Sequence, residues 1–131
     1  PPTATITASP EQPVNSVDEV FGVWKGYWSD NNMILMNIGA TGLVDLSFEK
    51  GQSILAEWAT IENGIMTWGN ITKGEVATKC KENPVATYEI YITRRGDQPE
   101  SLRFVLVGTD NCYDRQEFLD GKTLLWAETG E

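Results

Sequence analysis

In residues 21–28, Gly22, Trp24, Gly26 and Trp28 alternate with Phe21, Val23, Lys25 and Tyr27. Side chains of a strand point to opposite faces in turn, so the glycines and indoles share one face. A glycine beside an indole leaves room for the ring to lie flat. The spacing therefore predicts Trp24, flanked by Gly22 and Gly26, as the buried floor of a sheet that curls around this face.

The rest of the chain reads as that sheet. Short segments of β-propensity alternate with turn chemistry, giving strands at 21–28, 33–38, 43–48, 54–61, 65–68, 85–94, 102–107 and 123–127. Asn63-Gly64 is the strongest hairpin signal, because both residues tolerate positive φ. Single helical turns are expected at 16–20, where Ser16 and Glu19 spell a capping box, and at 114–119. Short connections imply antiparallel sequential neighbours. The fold expected is all-β: a single eight-stranded antiparallel up-and-down barrel with an extended N-terminal arm. Closure would remove the unpaired edges.

Residues 1–15 read as the arm or as a stalk, and residues 16–131 as the barrel domain. Thr3, Thr5, Ile6 and Thr7 lie in a small, uncharged, β-prone run that could pair with another subunit or simply tether the domain. The start at Pro1 is read as a processed end. Cys80 and Cys112 are the only cysteines. They are either two unrelated thiols or a disulfide stapling the long polar connection after residue 68; small secreted domains favour the second.

The alternation 22-x-24, entered from a helical turn and opening an eight-stranded meander, resembles the lipocalin or calycin superfamily. Cys112-Tyr113-Asp114-Arg115 and the Thr-rich start are more similar to short lipocalin-like domains of secreted bacterial lipoproteins. The resemblance implies that Arg115 packs across Trp24, and that a lipid-bearing cysteine lies upstream.

The chemistry expected is sparse. Nineteen acidic against ten basic residues give a net charge of −9, which argues against nucleic acid and anionic membrane as partners. No run of about 18 apolar residues is present to span a membrane as a helix. The chain has no His, and two cysteines make a poor metal site, so neither metal nor cofactor is expected. The carboxylates Asp45, Glu57 and Glu89 alternate with richer apolar rows and are expected on the outer face. Arg95-Gly96-Asp97 spells an adhesion tripeptide but reads first as an ordinary turn.

Trp28, Phe48, Trp58, Trp68, Tyr88 and Phe104 are expected inside the barrel with Trp24. They either fill it or line a site for one small hydrophobic ligand. Several strands are apolar on both faces, including Met33 and Leu35 opposite Ile34 and Met36. Such strands need a cover or a partner. The function expected is a non-enzymatic, extracellular or cell-surface structural subunit that assembles with copies of itself through the arm, head to tail into a surface filament or fibre unless the rotation closes a ring. The alternative is a carrier of a small hydrophobic molecule.

Overall fold

In the computed structural model, the described residues are 10–29, 32–48, 53–69, 85–110 and 112–128. They form an all-β fold. Eight strands close into one antiparallel up-and-down barrel: β2 (Gly22–Ser29), β3 (Asn32–Ile38), β4 (Leu43–Phe48), β5 (Ser53–Glu62), β6 (Ile65–Trp68), β7 (Ala86–Arg95), β8 (Gln98–Val107) and β9 (Thr123–Glu128). Each pairs with its neighbours in the chain, and β9 returns to β2 through Trp24↔Trp126 and Lys25↔Leu125. A ninth strand, β1 (Gln12–Pro13), lies outside this ring and pairs with β7.

The hairpins form where the turn chemistry allows. Asn63 (φ 53°) and Gly64 (φ 80°) take the two positive-φ positions that join β5 to β6. The expected strand at 102–107 begins earlier, at Gln98. Pro99 is tolerated because it sits beside an irregularity in the β7–β8 ladder, between Thr93 and Arg94.

One mouth is covered by a 3-10 turn (Val17–Glu19) leading into β2, the other by helix α1 (Tyr113–Leu119) leading into β9. Because β2 and β9 are antiparallel neighbours, these two lead-in elements sit at opposite ends of the barrel. The inward rows meet as one buried cluster. It includes Trp24, Ile34, Met36, Ile38, Val44, Leu46, Met66, Trp68, Tyr88, Ile90, Ile92, Leu102, Phe104 and Leu124. Gly26 completes it, because a Cβ there would collide with the Leu124 side chain.

Strand β5 differs from expectation. Its register sets Leu55, Glu57 and Ala59, rather than Ile54, Ala56 and Trp58, opposite the inward residues Leu46, Val44 and Trp68. Each row of this strand carries apolar residues, so its own pattern fixes no face, and Glu57, expected on the outer face, falls in the row set opposite the inward Val44. The Asn63-Gly64 hairpin settles it. That turn pairs Ile61 with Met66 and Ala59 with Trp68, and β6 is itself held inward by the pairing of Met66 with Tyr88.

Candidate functional site

The mouth at the 3-10 turn is built from the N-terminal segment. Glu19 accepts hydrogen bonds from the backbone N–H of Asn15 (2.5 Å) and Ser16 (3.0 Å), so the box read from the sequence closes the turn. Its other oxygen accepts from Arg94 Nη2 at 3.2 Å, tying the turn to β7. Val20 is buried, and its carbonyl accepts from Trp24 Nε1 at 2.8 Å. Trp24 is fully buried and meets Trp126 edge-on, with ring centroids 4.8 Å apart.

Residues 12–14, assigned to the arm by sequence, are part of this mouth. Gln12 and Pro13 pair with Ile92 and Tyr91. Val14 is fully buried, donates its N–H to the Ile90 carbonyl at 3.0 Å and accepts from Gly64 N–H at 2.8 Å. Strand β6 is short, and β1 occupies the stretch of the β7 edge that β6 leaves uncovered. Outside it, Glu11 takes a two-pronged bond from Arg103, at 2.7 and 2.9 Å. That bond holds the Glu11 carboxyl below its ordinary range. The Arg103 guanidinium in turn lies over the Tyr91 ring, 4.7 Å from its centroid. Thr3, Thr5, Ile6 and Thr7 lie outside the described residues.

Beside this turn a shallow groove of about 240 Å³ is lined by Ser16, Val17, Thr41, Ala59, Thr60 and Ile61. None of these carries a charge. Leu43 stands nearby on the outer surface, 40% exposed, and shares a row with the half-buried Trp58.

The opposite mouth carries a buried polar cluster. Asp110 accepts from Arg115 Nε (2.9 Å) and Nη2 (2.8 Å), from Tyr88 Oη (2.5 Å) and from the backbone N–H of Cys112 (2.8 Å). Burial alone would raise the Asp110 pKa. The bonds from Arg115, Tyr88 and Cys112 outweigh it and hold the carboxyl below its ordinary value. Burial, and then the bond to Asp110, push the Tyr88 phenol far above its usual range. The carboxylate is thus satisfied from several sides, the condition under which an ion pair can persist in a core. Arg115 lies over the Trp68 ring, 5.9 Å from its centroid, and Trp68 Nε1 is buried with no hydrogen-bond partner among the described residues.

The structure redistributes the residues singled out by sequence. The resemblance placed Arg115 against Trp24, but the ring beneath Arg115 is that of Trp68. Arg115 belongs to the helix that seals the far mouth from Trp24. Trp68, Tyr88 and Phe104 are fully buried and Phe48 is half-buried, all packed with the core. Trp58 is on the outer face, because it pairs with the exposed Leu43. The Trp28 side chain lies outside the described part. Gly22 opens β2 with φ 137°. Asp45 and Glu89 are half-buried, and Glu89 accepts from Tyr91 Oη at 2.7 Å. Cys112 is buried at the start of α1, and Cys80 lies outside the described residues.

Sequence reasoning missed Asp110. A lone Asp in the polar run Gly108-Thr109-Asp110-Asn111 carries no signal of burial; its position five residues before Arg115 was the one hint. Among the described residues there is no group of three or more His, Cys, Asp or Glu that could hold a metal, and no helix long and apolar enough to cross a membrane. Comparison with protein-family models, curated proteins and solved structures found no match for the chain.

Proposed function

We propose that this protein is a non-enzymatic, extracellular structural subunit that assembles with copies of itself through residues 1–9. The observation that supports this reading is the close burial of the described inward side chains. The inward side chains that the structure describes form one contiguous buried cluster, and elements at both mouths contribute to it through Val20, Phe118 and Leu119. A carrier needs an apolar space of roughly 300 Å³ or more for its ligand. Here Trp68, Tyr88 and Phe104, the residues that would line it, are packed against their neighbours instead. What remains for function is the surface, and several large apolar side chains are exposed there. Phe21 (47%), Leu43 and Leu125 (58%) are among them.

The resemblance to lipocalin-like domains of secreted lipoproteins fits an extracellular setting, and so does a Cys80–Cys112 disulfide. Under this proposal, full-length protein scatters light as an oligomer at micromolar concentration, and a form lacking residues 1–9 runs as a folded monomer. The truncation stops at residue 9 because Glu11, Gln12, Pro13 and Val14 hold the barrel wall. Two monomers of equal behaviour would sink the assembly reading. Saturable quenching of tryptophan emission by a fatty acid would then favour the carrier.

A further inference from the structure

Strand β1 runs antiparallel to β7, with Gln12 opposite Ile92 and Pro13 opposite Tyr91. Strand β7 ends at Arg95, at the mouth covered by the 3-10 turn. At Glu11 and Pro10 the chain is therefore directed toward that mouth. The uncharged groove is at the same mouth: Ser16 and Val17 come from the 3-10 turn, Thr41 from the β3–β4 turn, and Ala59, Thr60 and Ile61 from the last part of β5.

We infer that two copies of this chain meet mouth to mouth and exchange their N-terminal segments, each placing Ile6 in the groove of the other. The inference rests on the assembly reading above and names its partner, its acceptor site and its symmetry. Three observations carry it.

The first is chemical match. The groove presents Val17, Ala59 and Ile61 with no charged residue among the described lining, on a chain whose net charge is −9. Residues 1–9 are also uncharged, and Ile6 is their one large apolar side chain. A volume of about 240 Å³ suits a single side chain better than a free ligand.

The second is direction. Glu11 is pinned to Arg103 on the outer surface, which fixes where the segment departs. Extended backbone would carry Ile6 about 13 Å past Pro10, outward from the barrel. Returning to its own groove would require the segment to reverse its direction.

The third is closure. When donor and acceptor share one end of a subunit, the contact is self-complementary and a two-fold pair satisfies both. A head-to-tail filament needs them at opposite ends. Longer assemblies would then need a second surface, and the outer row containing Leu35 and Leu125 on either side of Lys25 is available for it.

The test is a cross-link in the full chain. Ile6→Cys with Thr60→Cys, oxidised and run without reductant, is expected to give a covalent species of twice the chain mass and nothing larger. Thr60 is exposed, so the change leaves the core alone. The single variants report any contribution of the native cysteines. A ladder of higher multimers would overturn the exchange while keeping assembly through the segment. A cross-linked monomer would show the segment folding back on its own barrel and would also overturn it. Oligomers in scattering with no cross-link would move the acceptor elsewhere. Monomers in scattering with no cross-link would remove the assembly reading itself. As a second readout, Thr41→Arg with Thr60→Arg is expected to abolish the pair. Mixing that variant with the form lacking residues 1–9 is expected to restore a dimer held by one segment.

Discussion

The Arg115 guanidinium grips the Asp110 carboxylate through two parallel hydrogen bonds, Nε to Oδ2 at 2.9 Å and Nη2 to Oδ1 at 2.8 Å, with both side chains fully buried. The pair joins helix α1 to the segment after β8, and Tyr88 adds β7 to the same cluster. Removing one partner strands the other charge in the core, which costs about 3–5 kcal/mol. Arg115→Met is expected to lower the urea midpoint accordingly. Asp110→Leu with Arg115→Met, which removes both charges, should recover a large part of the loss. A single Arg115→Met that leaves the midpoint unmoved would show that the pair is not holding the mouth.

The same cluster sets the pH range of stability. The folded Asp110 pKa is depressed, so the unfolded chain takes up its proton first as pH falls. The stability from this pair is present above the ordinary carboxylate value, about 3.9, and is lost as pH falls through the folded value. Tyr88 acts in the opposite sense. Its folded pKa is raised, so above about pH 10 the unfolded chain ionises while the folded one does not, and stability falls again. Thermal melts should therefore be flat between these limits and fall at both ends. In Asp110→Asn the acid arm should be shallower.

Trp24 is the floor that the alternation in residues 21–28 predicts. It is fully buried, is hydrogen-bonded to Val20 and packs on Trp126. Trp24→Ala should cost about 3–5 kcal/mol through the cavity it leaves. Trp24→Phe should cost less, with part of the loss arising from the unsatisfied Val20 carbonyl. Denaturant unfolding of the two variants gives the order.

The cysteines supply a redox test. Cys112 is buried and is not a free thiol, and Cys80 is the chain's only other cysteine. We expect the two to be joined, stabilising the fold by about 2–4 kcal/mol, mainly by restricting the unfolded chain. Thiol titration of denatured, unreduced protein should find no free thiol. Two free thiols per chain would remove both the staple and one support for an extracellular setting.

The sequence by itself determined the class of fold and most of its strands. Period-2 alternation is strong wherever one row is clearly richer in large apolar residues, as in Tyr88, Ile90 and Ile92 against Thr87, Glu89 and Tyr91. Asn63-Gly64 fixed a hairpin because few other residue pairs accept its backbone angles. Three things were decided only by the tertiary structure. Strand β5 carries large apolar residues on both rows, so its facing waited on the register imposed by β6. Gln12 to Val14 look like arm, since a two-residue strand has no period to read, and they became wall only because β6 stops short on the β7 edge. Arg115 found Asp110 and Trp68 rather than Trp24 because a residue's partner depends on which mouth its helix covers. That is a property of the antiparallel pairing of β2 with β9, between residues a hundred positions apart, and no local pattern encodes it.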